Sequence, residues 1–261
     1  MSLSRESVVA ASNGWTWIPD YATTAETDEY LLVRFPDYFE HPLELLKFHP
    51  AGPVEDAIEA ALARARQFGL PALYWFVRLD SPPGVLELLT ARGATVDETL
   101  DVLARDLTGG APELPPPTAD VRLRWALDVD TARDGWGVDA AVFGGSVAPE
   151  ERLVANAAHD AVAFPAGGGG TVVAYLDDAP VGSGGVTMQD GVARLWGGGV
   201  REAARGQGVY RAILGARLHY AATHGATMAL VKGRIETSGP ILRKAGFTAH
   251  GQEVIYQLPL R

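Results

Sequence analysis

Val200-Arg201-Glu202-Ala203-Ala204-Arg205-Gly206-Gln207-Gly208-Val209-Tyr210-Arg211-Ala212-Ile213-Leu214 joins an apolar, strand-like run to an amphipathic helix through a short polar bend. Glycine lets a backbone turn tightly and approach a ligand with no Cβ in the way. Gly206 and Gly208 stand where the bend becomes the helix. A helix that starts there turns unpaired N–H groups, and the positive end of its dipole, toward whatever occupies the bend. The segment reads as an anion cradle, with a pyrophosphate as the fitting ligand.

Working outward, residues 121–125 read as a strand, followed by helices over 128–143 and 149–164. Strands at 171–176, 180–188 and 192–200 are separated by Asp177-Asp178 and Asp190-Gly191, the turn chemistry of an antiparallel meander. A helix over 208–224 stops at Gly225, a strand follows at 228–232, a helix at 239–245 stops at Gly246, and 252–258 alternates as a last strand. The order β-α-α-β-β-β-α-β-α-β defines an α+β class with a mixed sheet.

The first half repeats part of that order. Strands at 30–35 and 42–49 precede an Ala/Arg/Glu helix over 54–68, a strand at 72–77, a short helix at 83–91 and a strand at 99–107. Leu88-Leu89-Thr90-Ala91-Arg92-Gly93-Ala94 runs parallel to Ile241-Leu242-Arg243-Lys244-Ala245-Gly246-Phe247, the pattern of a divergent tandem repeat. Between the halves, the prolines of residues 111–119 form an extended spacer. The expected domains are 1–110 and 120–261, each long enough for its own core.

The chain of 261 residues has no cysteine, which excludes disulfides, thiolate metal sites and a cysteine nucleophile. No spacing among its six histidines suggests a metal. No apolar run reaches a membrane span and no signal peptide is visible, so the expected compartment is the cytoplasm. The net charge of −10 is uneven: residues 201–261 carry +6 and the rest is acidic. A polyanionic cofactor is drawn to the basic end, and acidic surfaces elsewhere suit a cationic second substrate. No basic stripe with interleaved aromatics speaks for nucleic acid. Trp15, Trp17, Tyr21, Trp75 and Trp196 read as core and domain contacts.

Arg205-Gly206-Gln207-Gly208-Val209-Tyr210 resembles the acetyl-CoA loop of the GCN5-related N-acetyltransferases (GNAT), Arg/Gln-x-x-Gly-x-Gly/Ala, and Ser238–Phe247 resembles that family's later helix ending in Gly-Phe. The resemblance covers residues 120–261 well and the first half as a degenerate copy, which implies two GNAT-like domains. It implies that the backbone of Gly198, Gly199 and Val200 binds the pantetheine arm of acetyl-CoA. Arg205, Gly206, Gln207, Gly208, Val209, Tyr210 and Arg211 would then hold the pyrophosphate, with Ser238 and Ile241 completing the cofactor site. In the first half the matching bend is His49-Pro50-Ala51-Gly52-Pro53, whose prolines remove N–H donors.

Two departures concern catalysis. The sixth loop position is Tyr210, and the helix position where the family often places a proton-donating tyrosine is Leu242. Tyr210 and Glu236 are the remaining candidates for acid and base. The implied activity is transfer of an acetyl group from acetyl-CoA to a primary amine of a small cationic molecule or peptide, by direct attack in a ternary complex. A monomer or homodimer is expected, with no metal. The alternative is an acyl-CoA-binding sensor or scaffold that turns over weakly or not at all.

Overall fold

The computed structural model describes residues 3–260, which divide into two compact units. The central unit holds Ala104–Lys232 and Ala245–Thr248. The flanking unit holds Arg5–Leu103, Gly233–Lys244 and residues 249–260.

In the central unit, β6 (Arg122–Trp125), β7 (Gly169–Leu176), β8 (Ala179–Gln189), β9 (Val192–Val200) and β10 (Met228–Arg234, through Lys232) stand in the order β10-β9-β8-β7-β6. The meander β6–β9 is antiparallel, and β10 joins β9 in parallel after α6 (Val209–Thr223). The two hairpin turns are set by positive φ at Asp177 and Asp178, and at Asp190 and Gly191. Both pairs match the right-handed twist of the flanking strands. Helices α4 (Val129–Phe143) and α5 (Glu150–Ala163) precede the meander, and the Asp128 side chain caps α4 by accepting from Thr131 N at 2.8 Å. One face of the sheet packs α6 through Val172, Ala174, Val200, Val209 and Ile213. On the other, Gly135 of α4 lies against Val173 and a Cβ on Gly199 would press into α4.

The flanking unit contains α1 (Arg5–Asn13), β1 (Thr23–Glu26), β2 (Tyr30–Arg34), β3 (Leu43–Phe48), α2 (Val54–Arg66), β4 (Ala72–Val77), α3 (Val85–Ala91), most of β5 (Thr95–Asp106), α7 (Ser238–Lys244) and β11 (Thr248–Pro259). Its strand order is β1-β2-β3-β4-β11-β5. Here β2 and β3 are antiparallel while β3 and β4 are parallel across α2, the same plan as β8, β9, α6 and β10. Leu43, Leu45, Ile58, Ala61 and Trp75 form its core under α2. Gly93, two residues past α3, and Gly246, two residues past α7, both take left-handed φ values, +84° and +82°.

The structure adds α1 and β1 to the elements readable from sequence, and extends β5 and β11 toward their N-termini. Residues 111–119 contain no helix or strand and lie within the central unit. Residues 233–244 and 249–260, which follow β10 in the chain, fold with the flanking unit. Among the described residues no helix is long and apolar enough to cross a membrane.

Candidate functional site

The parallel ladder between β9 and β10 runs from Val192↔Met228 to Leu195↔Val231. Past Leu195, β9 keeps its partner β8, with Trp196↔Gly185, Gly199↔Ser183 and Val200↔Gly182 in register. Gly197 and Gly198 together face the single residue Gly184, which makes a β-bulge, and Gly197 takes φ +56°. No ladder pair of the described residues joins Trp196–Val200 to β10. An unpaired strand edge of this kind is a template for an extended ligand.

Beneath the bulge lies Arg217 of α6, 1% exposed. Its Nη1 donates to Gly185 O at 3.2 Å and Trp196 O at 3.3 Å, while Nε has no acceptor. A Cβ on Gly184 would sit 3.0 Å from its Cζ, and one on Gly198 would sit 3.1 Å from its Nη2. A side chain at either position would have to displace the guanidinium. Burial pulls the Arg217 pKa down, and the Tyr210 phenol beside it works in the other direction. Burial in turn raises the Tyr210 pKa against the pull of the guanidinium. The Tyr210 ring is folded under Gly198, with Cε2 3.2 Å from where a Cβ would stand.

The bend begins with a 3₁₀ turn at Glu202–Ala204, which uses the N–H of Arg205 to bond Glu202 O at 3.1 Å. Ala212 N bonds Gly208 O at 3.1 Å as α6 begins. The N–H groups of Val209, Tyr210 and Arg211, in the first turn of α6, have no acceptor within the helix. Gly206 and Gly208 hold φ +79° and +84°, which turns the chain into α6, and buried Val209 anchors its first turn. Arg205 Nε reaches back to Val200 O at 3.3 Å. Arg211 Nη2 donates to Pro116 O at 3.2 Å, and Thr118 N donates to Gln207 O at 3.1 Å. A Cβ on Gly208 would lie 2.6 Å from Pro117 Cα, so the Pro-rich segment is seated on the bend. The donors of this helix N-terminus suit a diphosphate, and the open edge beside them suits an extended amide arm. These residues fit acetyl-CoA.

The α4 face of the same strands carries two groups the sequence reading missed. Ser183 Oγ donates to Asp139 Oδ1 of α4, and Gly199, paired with Ser183, faces Val142 and Phe143. Desolvation pushes the Asp139 pKa up to about 6, and the Ser183 hydroxyl opposes the shift. Nothing in the run Gly137-Val138-Asp139-Ala140-Ala141 announces this; only the fold brings it beside β9. Trp196 is a correction. It is 39% exposed, not a core residue: its indole lies over Gly185, where a Cβ would come within 2.2 Å. Trp196 Nε1 donates to Thr187 Oγ1 at 3.0 Å.

Gly198 to Arg211 thus gather in the central unit, whereas Glu236, Ser238 and Ile241 belong to the flanking unit. Glu236 is exposed in the turn between β10 and α7, Ser238 opens α7, and Ile241 is exposed on it. Leu242 is fully buried, its Cδ1 2.8 Å from where a Cβ on Gly233 would stand. In the first-half bend, Ala51 N donates to Glu29 Oε1 at 2.8 Å and His49 N to Glu29 O at 2.6 Å. Pro50 and Pro53 offer no N–H at all. The protein's own carboxylate takes the place an anion would need.

Residues 145–236 match the family model of the acetyltransferase (GNAT) family. The chain therefore carries a GNAT acetyltransferase domain. The fold recurs over nearly the whole chain in solved structures. A GCN5-related N-acetyltransferase from Sphaerobacter thermophilus aligns over 99% of this chain and 86% of its own, with TM-score 0.68 and 18% identity. One from Kribbella flavida aligns over 99% and 96%, with TM-score 0.66 and 17% identity. A tandem GNAT protein from the clavulanic acid biosynthesis pathway aligns over 97% and 88%, with TM-score 0.61 and 16% identity. At these identities the likeness is one of fold. No curated protein matches the chain in sequence.

Proposed function

We propose that this protein is a cytoplasmic acetyl-CoA-dependent N-acetyltransferase with one donor site, built on β9, the bend and α6. The observation that carries the reading is the run of N–H groups at the N-terminus of α6, opening from the glycine bend beside a strand whose parallel pairing stops at Leu195. The run would hold the diphosphate, and Gly198–Val200 the extended arm. Acetyl-CoA, when bound, supplies an acetyl thioester. The chain contributes orientation of the two reactants and N–H donors near the carbonyl, which supply much of the rate in direct aminolysis. The acceptor is a primary amine of a small cationic molecule or peptide.

The domain division rests on the same physics. The first half is a second GNAT-like copy whose bend is closed by Glu29 and two prolines, so the tandem arrangement has a single cofactor loop. Calorimetric titration with acetyl-CoA should give one site per chain, and thiol release should follow addition of an amine panel. Absence of acetyl-CoA binding overturns the reading. Buried Leu242, where the resemblance places a proton donor, favours a second reading as an acyl-CoA sensor. Binding without thiol release from any amine would select it.

A further inference from the structure

We infer that Trp196 and Asp139 form the acceptor's recognition site, which takes a primary amine as its ammonium ion and removes a proton from it at the Asp139 carboxylate. The inference rests on the transferase reading and names the substrate class and the base within it.

Strand register puts both groups on one face. Trp196 pairs with Gly185 and Gly199 pairs with Ser183, so the indole and the Ser183–Asp139 hydrogen bond share the α4 face, two residues apart along β8. The indole cannot swing freely. Gly185 gives it a flat bed, and the bond from Nε1 to Thr187 Oγ1 fixes its in-plane orientation. That leaves an exposed aromatic surface held rigid, and the face of an indole attracts cations. The exposed part of the ring adds little to folding, which the same ring would serve better if fully buried.

Asp139 supplies the second half. Oδ1 accepts from Ser183, and among the described residues no basic side chain pairs with the carboxylate, which stands in a desolvated position. A carboxylate so placed attracts an ammonium strongly and is a better base than one in water. An ammonium nitrogen has no lone pair and cannot attack a carbonyl. One N–H proton passes to Asp139 Oδ2, leaving a neutral amine with its electron pair free and a neutral carboxylic acid. Ser183 positions the carboxylate through its hydrogen bond and touches no reactant. The proton sits on the opposite face of the sheet from Arg217, so the cation beneath the bulge does not oppose its transfer across the site.

The test measures acceptor binding with no acetyl-CoA present, which separates it from failure of the donor site. Saturation-transfer NMR or calorimetry compares 1-aminohexane with 1-hexanol on the whole protein. The ammonium should bind about tenfold more tightly, the order expected of one cation–π contact reinforced by a carboxylate. W196A and D139N should each abolish the preference, W196F should keep most of it, and G185A, which displaces the indole, should behave as W196A. Preference should also weaken as pH falls through about 6, with D139N insensitive. Equal or undetectable binding of the two probes by the wild-type protein, which requires no variant to fold, overturns the inference. So does a D139N protein that keeps both the preference and its pH dependence. Acetyl-CoA titrated separately reports on the donor site alone.

Discussion

Arg217 Nη1 donates to the carbonyl oxygen of Trp196 at 3.3 Å, so a side chain of α6 grips β9 where its pairing with β10 ends. The same nitrogen holds Gly185 O, on the strand across the bulge. The bulge is therefore clamped from below by a buried cation with no carboxylate to match it. Buried unpaired charge is costly, and it persists where it fixes a conformation that the backbone would not otherwise keep.

Truncation of that clamp tests its role. R217A should lower stability by about 3 kcal/mol, through the cavity and the two carbonyls left without a donor. It should weaken acetyl-CoA binding as well, because the edge of Gly197–Val200 would relax toward regular pairing. Urea denaturation and calorimetry read the two effects separately.

The bend offers a contrast between the two halves of the chain. Gly208→Asp introduces a negative charge at the start of α6, at φ +84° and against Pro117. Acetyl-CoA affinity should fall at least about tenfold. Gly52→Asp places the same side chain in the first-half bend, in open space, and should leave affinity unchanged. Equal losses in calorimetry would mean that the first half also holds cofactor.

Asp139 should make stability fall as pH rises. Its folded pKa of about 6 lies above the ordinary carboxylate value, so the folded state binds the proton more tightly than the unfolded chain does. The penalty is absent well below the unfolded value, about pH 4, grows as pH rises to about 6, and is complete above that. D139N should therefore raise Tm at neutral pH, by the equivalent of about 1 kcal/mol, and change it little near pH 4. A fall in Tm at neutral pH would contradict this account.

Glu44 of β3 gives the same sign over a wider window. Burial alone pushes its pKa up to about 8. Stability should decline from the unfolded carboxylate value up to about pH 8, so E44Q should gain nothing near pH 4 and about 2 kcal/mol by pH 8. Thermal melts across that range, run beside wild type, decide it.

Much of this was legible in the chain. The glycine pair at 206 and 208, the Asp-Asp and Asp-Gly turns and the helix-stopping Gly93 and Gly246 act through local backbone geometry, which sequence exposes directly. The parts that were hidden depend on contacts between distant segments. Glu29 reaches Ala51 across 22 positions, and Ser183 reaches Asp139 across 44. Trp196 looks like any aromatic of an apolar strand until its register against Gly185 is known. Tyr210 was hard to place because its position in the loop says nothing of Arg217, seven residues on, which gives its ring a place under the sheet. Residues 5–13 and 23–26 have too little periodicity to announce a helix and a strand.

The carboxylate of Glu29 on Ala51 N has an evolutionary reading. A bend that had merely lost its glycines could regain a ligand by one reversion. Here two positions are prolines and an internal acid holds the donor of a third, so a cofactor loop would need three separate changes, each of little use without the others. On the proposed reading, the surface of that half can carry acceptor specificity without competing for the cofactor.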